Sequence, residues 1–354
     1  MKIISLILLL LINFGLVNSV HAQNSPAPED QIPYSVEPVL PDNQVSDATY
    51  FDIEMAPGSS QDLFINVYNM SDQEIEVDIS TNFAATNANG ILTYDGAIEI
   101  FDESMEVLFD EIASIEDQTI TVGPNDTEQV AIQIDIPEDG FDGQILGGIH
   151  FVMDSEYNPE TEPEGGVGFV NEYSYSIGVN ITEQQAEDES EQTDNLTVDE
   201  IDPELVMEDA SAEIVDYRIA VDGVYANQTP ILISQLNFHG FVTEQGEDEV
   251  LFEREIDSVS VGPNNQFHLP ISTENQRIEP GEYTYHAVFE NEDHYFEFQT
   301  DFSVSEELAD QLEDESVDVA STGLSNWWLG GLIGVIIVLI ILVIVLYRKL
   351  QAKE

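Results

Sequence analysis

Apolar residues at every second position can bury only one face of an extended strand, and that period of two runs through most of this chain. Ile75, Val77 and Ile79 alternate with Glu74, Glu76 and Asp78, and Val130, Ile132, Ile134 and Ile136 alternate with Gln129, Ala131, Gln133 and Asp135. Tyr173, Tyr175, Ile177 and Val179 oppose Ser174, Ser176 and Gly178 in the same way. Phe267, Leu269 and Ile271, then Tyr283, Tyr285, Ala287 and Phe289, repeat the pattern later, and no comparable amphipathic helix competes with it. Turn-forming residues stand just ahead of these runs: Pro57-Gly58, Gly123-Pro124-Asn125, Gly262-Pro263-Asn264 and Pro280-Gly281. Short strands punctuated in this manner predict an all-β chain made of β-sandwiches.

The two ends obey different chemistry. Lys2 precedes the apolar run Ile3 to Leu11, which continues mostly apolar to Val17 and ends in Val20-His21-Ala22, a small-residue cleavage pattern. Residues 1–22 are therefore expected to be a cleaved signal peptide, with Gln23 the mature N-terminus. Trp327 to Tyr347 carries no charge, and at ~1.5 Å per residue such a helix spans roughly 31 Å of bilayer. Trp327, Trp328 and Tyr347 sit where an interfacial aromatic belt would place them, and Arg348, Lys349 and Lys353 supply a positive flank. The expectation is a single-pass type I protein of the cell membrane, with residues 327–347 crossing, 348–354 cytoplasmic and the body outside.

Of 354 residues, 71 are acidic and 7 basic. Only Arg218, Arg254 and Arg277 lie between the two ends, and Gln23 to Tyr217 contains no Lys or Arg. Phosphate recognition needs cationic side chains, so nucleic acid is excluded as a partner, and anionic membrane surfaces with it. The acids read either as solvated faces adapted to a saline or divalent-rich medium, or as an acidic binding patch. With no cysteine, disulfides, thiol nucleophiles, Cys-ligated zinc and a lipidated cysteine are ruled out, so each outer domain must stand on its hydrophobic core.

Between Ile181 and Pro203 the alternation lapses into the acidic run Glu183 to Glu191, too poor in apolar residues to pack, which places an interdomain linker at 183–202. A second acidic run, Glu306 to Asp318, reads as a short helix or as a self-repelling stalk over 306–326. The predicted body is thus an N-terminal sandwich at 23–182 and a C-terminal one at 203–305.

Several segments carry a family likeness. Tyr34-Ser35-Val36-Glu37-Pro38-Val39-Leu40-Pro41, Tyr50-Phe51-Asp52 with Pro57-Gly58, Ala85-Thr86-Asn87-Ala88-Asn89-Gly90 and Phe141-Asp142-Gly143-Gln144-Ile145-Leu146-Gly147-Gly148-Ile149 resemble the N-terminal domain of the WxL protein-interacting proteins of Gram-positive bacteria. Tyr173 to Val179 resembles that domain's last strand. Val261-Gly262-Pro263-Asn264-Asn265-Gln266-Phe267, Pro280-Gly281-Glu282-Tyr283 and Phe298 to Val304 resemble the family's C-terminal domain. The resemblance implies two tandem Ig-like β-sandwich domains, the first peptidoglycan-binding and the second host-ligand-binding. It further implies WxL-domain surface proteins, peptidoglycan and a host extracellular-matrix protein as partners, in the Gram-positive cell wall.

The residues themselves offer little catalytic signal. Paired carboxylates suit glycoside hydrolysis, but among this many acids some pair always approaches. No Gly-x-Ser-x-Gly occurs, and His150, His239, His268, His286 and His294 lack His-Glu-x-x-His spacing. A non-enzyme without cofactor or metal is expected. Thr86, Asn87, Asn89 and Tyr94 are the candidate ligand-binding residues, because amides and a phenol in a loop flanked by strands can hydrogen-bond and stack on a sugar or stem peptide. The same asparagines also suit Asx-turns. Glu138-Asp139-Gly140-Phe141-Asp142-Gly143 offers calcium ligands without EF-hand spacing, and an acidic turn reads equally well. Gly330 and Gly334 form one Gly-x-x-x-Gly pair in the apolar span. The functional expectation is adhesion or scaffolding at the cell surface; the alternatives are a wall-modifying hydrolase and a membrane-anchored sensor acting through a partner.

Overall fold

The computed structural model describes residues 32–154, 172–185, 194–274 and 276–317. The expected leader at 1–22 and span at 327–347 lie outside them, and among the described residues no helix is long and apolar enough to cross a membrane.

The first half runs β1 (Tyr34–Val39), β2 (Phe51–Met55), β3 (Ser60–Asn69), β4 (Ile75–Phe83), β5 (Ala85–Thr86), β6 (Leu92–Thr93), α1 (Phe109–Ile112), β7 (Ala113–Ile115), β8 (Thr119–Val122), β9 (Thr127–Asp135), β10 (Gln144–Met153) and β11 (Ser174–Glu183). Sheet order is β1-β3-β9-β7 against β2-β11-β10-β4-β8, with β5-β6 a separate hairpin. Neighbours are antiparallel except β2 and β11, which run parallel. The alternation that marks these strands in sequence is the burial pattern itself: Ile75, Val77 and Ile79 face inward with Val130, Ile132 and Ile134 of the opposing sheet. Ile177, Val179 and Ile181 of β11 join that core.

The second half runs β12 (Leu205–Val215), β13 (Arg218–Asn227), β14 (Ile233–Glu244), β15 (Val250–Val261), β16 (Gln266–Ser272), β17 (Gly281–Glu290), β18 (Tyr295–Val304) and α2 (Glu306–Glu315). Here β12-β13-β16 faces β15-β14-β17-β18. The core is a separate cluster in which Tyr225 stacks on Phe267 at 5.4 Å and meets Phe289 edge-on at 4.9 Å. The Tyr225 hydroxyl donates to that of Tyr285 at 3.0 Å, which gives both buried phenols a polar partner. Each fully buried aliphatic or aromatic side chain contributes about 1.5–3 kcal/mol, so two cores of this size hold without disulfides.

Two acidic stretches are more ordered than their composition suggests. Glu183, placed at the head of the linker by sequence, ends β11 and is buried. Its Oε2 accepts from the Phe141 backbone N–H at 2.9 Å and from Asn195 Nδ2 at 2.8 Å, so the Glu138 to Gly143 turn is tied down by a carboxylate from outside it. Thr197 and Glu200 then form a capping box on a 3₁₀ turn at Val198–Glu200. Of the two readings for the run after β18, the helix holds through Glu315. The Ser305 hydroxyl caps α2 by accepting from Leu308 N–H, and Ala309 and Leu312 bury against the second core. Arg277 draws the acidic face inward by pairing with Asp310 at 2.8 Å and with Glu313.

Candidate functional site

The loop that carries three of the four candidate residues is a clasp between the sandwiches. Thr86 N–H donates to Asn265 Oδ1 at 2.8 Å, and Asn265 Nδ2 donates to the Ala84 carbonyl at 2.9 Å. Gly262 N–H donates to Thr86 Oγ1 at 3.0 Å. Thr86 is therefore buried between the two halves, where no solvent ligand reaches it. Asn87 Oδ1 accepts from Asn89 N–H at 2.9 Å and from Ile91 N–H at 3.2 Å, the Asx geometry that turns the chain toward the second sandwich. Arg254 reaches back, its Nη2 donating to Ala88 O at 2.8 Å and to Asn89 Oδ1 at 3.3 Å. Gly90 lies at φ +70°, and a Cβ there would fall 2.8 Å from Val259 Cγ2, so both its conformation and its contact call for glycine. Further along the seam, Asp102 N–H donates to Asn264 O at 2.9 Å and Gln144 N–H to Pro230 O at 2.8 Å.

Tyr94 lies elsewhere. Its ring covers Gly148 of β10, where a Cβ would lie 2.7 Å from the ring, and its hydroxyl is 3.7 Å from the equivalent position of Gly178 on β11. Gly148 and Gly178 are direct cross-strand partners, so together they make a flat floor on the outer face of the sheet. Tyr94 and Tyr50 stand over this floor in a groove of about 650 Å³ that Asn180, Gln144 and Glu37 also line, while Tyr175 borders it from the inner face of β11, its ring edge-on to Tyr34 at 5.1 Å and its hydroxyl donating to Tyr34 O at 3.2 Å. Gln144 Nε2 donates to Asn180 Oδ1 at 2.9 Å, and Asn180 Nδ2 donates to Asp52 Oδ1 at 2.9 Å, a chain that fixes the amide orientations. Burial, with Tyr50 nearby, pushes the Tyr94 phenol up, and burial alone raises Tyr175, so both hydroxyls stay protonated donors at neutral pH.

The groove offers aromatic faces, hydroxyls and amides, the chemistry that stacks on sugar rings or peptide planes and hydrogen-bonds their edges. Among the described residues lining it, Glu37 is the single carboxylate, and its Oε2 already accepts from the Tyr68 hydroxyl at 2.9 Å. Glycoside hydrolysis requires two carboxyl groups across the scissile bond. The strand histidines have ordinary roles: His150 Nδ1 meets Ser176 Oγ at 2.8 Å, and His286 stacks on Phe241 at 4.5 Å. Sequence reasoning did not bring Tyr50 to this groove. The signal for it is Gly148 and Gly178 inside otherwise regular strands, since a glycine there marks close approach by something else.

Several solved structures are similar to this chain at low identity. The E. coli chaperone DraB is 11% identical, covering 77% of this chain and 98% of its own, with a TM-score of 0.26. The Pseudomonas aeruginosa CupB2 chaperone is 13% identical, covering 71% and 97%, with a TM-score of 0.25. The PapD-like domain 7 of human CEP192 is 12% identical over 48% of this chain and 98% of its own, with a TM-score of 0.28. Overlaps that loose decide nothing about function. No curated protein sequence matches the chain. The family comparison is specific: residues 34–153 match the peptidoglycan binding domain of WxL Interacting Protein, and residues 164–314 match its host binding domain. These two matches, in order and spanning both sandwiches, establish that the chain belongs to the WxL Interacting Protein family.

Proposed function

We propose that this is a non-enzymatic adhesion or scaffolding protein of the Gram-positive cell surface, whose first sandwich binds peptidoglycan in the Tyr50 and Tyr94 groove. Residues 327–347 anchor it in the membrane with both sandwiches outside, and WxL-domain proteins and a host extracellular ligand are its protein partners. The reading rests on one observation: two tyrosines, Tyr50 and Tyr94, stand over a floor of paired glycines, with amides beside them and one carboxylate. The family's domain descriptions support the wall and host assignments.

Pull-down of the purified protein on insoluble peptidoglycan tests the site. Tyr50 is largely exposed, so Tyr50→Ala removes a stacking face without disturbing the core, and it should weaken retention by about two- to tenfold. Retention unchanged by Tyr50→Ala and by Gly148→Val, which forces the Tyr94 ring aside, removes the groove assignment. Release of soluble wall fragments during incubation identifies a hydrolase instead. Orientation is checked separately: protease added to intact, wall-stripped cells should digest the sandwiches and spare a tag after Glu354.

A further inference from the structure

Asp222 sits in the middle of β13, paired with Ser211 of β12 and Pro270 of β16, on the outer face of that sheet. Its side chain is only 2% exposed. A carboxylate removed from water to that degree needs compensation for both oxygens. Asp222 Oδ2 has it, meeting His268 Nδ1 at 2.5 Å, whereas Oδ1 has no hydrogen-bond partner. A second carboxylate stands beside it, close enough for a side-chain hydrogen bond. Glu213 of β12 joins the cluster, and one donor atom from each of Glu213, Asp222 and His268 lies within 4.8 Å of the others. Glu208 adds more negative charge beside His268. Arg254 is near enough for its charge to be felt at Asp222, but its outer nitrogens donate elsewhere: Nη1 to Pro270 O at 2.7 Å, and Nη2 to the clasp.

We propose that Glu213, Asp222 and His268 form a site for one divalent transition cation of the zinc class. Two carboxylate oxygens and an imidazole nitrogen match zinc's preferences, whereas calcium and magnesium favour all-oxygen shells. The three come from adjacent strands of one sheet, so the backbone ladder presets their spacing. Zinc bonds of about 2.0–2.2 Å place tetrahedral donors roughly 3.4 Å apart, so occupancy parts Asp222 Oδ2 from His268 Nδ1 by about 1 Å. The proton of the hydrogen bond between them leaves to solvent, and the ion takes its place. Two carboxylates then face a 2+ charge, which balances both of them, where His268 now meets only Asp222 Oδ2. Three protein donors leave a fourth position open to water or to a group from another molecule.

The test is competition between the full chain, chelator-stripped and purified in detergent, and a chromophoric zinc chelator. One equivalent of zinc should bind well above the weak background of surface acids. Glu213→Gln and His268→Ala should each weaken that equivalent by about tenfold or more, and millimolar calcium should leave it in place. Glu213 is exposed, so Glu213→Gln keeps the fold and the test stands even if His268→Ala destabilises the sheet. Failure to find a saturating equivalent, equal binding by parent and Glu213→Gln, or ready displacement by calcium overturns the site. None of these readouts touches wall binding.

Discussion

The two sandwiches contain the same small device and use it differently. In the first, Asn69 Nδ2 donates to the carbonyls of Gln73, Val122 and Gly123, while its Oδ1 accepts from Ser71 N–H and Oγ. In the second, Asn227 Nδ2 donates to Ile231 and Gly262, and its Oδ1 accepts from Thr229 N–H and Oγ1. Each asparagine thereby staples a Gly-Pro-Asn turn, at Gly123-Pro124-Asn125 and Gly262-Pro263-Asn264, with the turn's Asn at positive φ in both, 52° and 48°. The turns differ in the next residue and in their surroundings. Asp126 follows the first turn, which is exposed; Asn265 follows the second, which is buried against the first sandwich. One amide in place of one carboxylate separates a free corner from a docked one, because only the amide can both donate to Ala84 O and accept from Thr86 N–H.

Three pairs of substitutions probe that comparison. The largest effect is expected at the staple: Asn69→Ala and Asn227→Ala each strand buried carbonyls and N–H groups, and each should cost about 2–4 kcal/mol in chemical denaturation. If only one of them does, the devices are not equivalent. Exchanging the distinguishing residues sharpens the point. Asn265→Asp places a carboxylate against the Ala84 and Pro263 carbonyls and should destabilise by about 2 kcal/mol, while Asp126→Asn on the exposed turn should stay within about 0.5 kcal/mol. Equal outcomes would mean the amide is not what docks the second turn. The smallest loss expected at the clasp belongs to the loop facing Asn265: Asn87→Ala with Asn89→Ala should cost about 1 kcal/mol in chemical denaturation and leave peptidoglycan retention unchanged. Loss of retention at an undiminished midpoint would instead place ligand contacts in the clasp.

Much of the architecture was legible because burial on one face of a strand writes itself into every second residue. Ile75 to Ile79 and Val130 to Ile136 could be placed on a core face from sequence alone. Thr86, Asn87 and Asn89 show the limit of such reading. A polar turn that binds a ligand and a polar turn that binds another domain have the same composition, and only the position of Asn265, 179 residues from Thr86, tells them apart. The acidic tail of β11 misleads for a related reason: Glu183 looks like linker until Phe141 and Asn195 supply its donors. The Glu213, Asp222 and His268 cluster has no local signature at all, since strand pairing alone brings its members together.

The clasp also orders events in time. Its bonds join residues far apart in the chain, so the first sandwich gains nothing from Asn265 until β15 has paired with β14 and β16 with β13, which shapes the second turn between them. Assembly of the molecule is therefore expected to proceed as two independent collapses followed by a docking step, and that docking step is the one a late refolding phase would report.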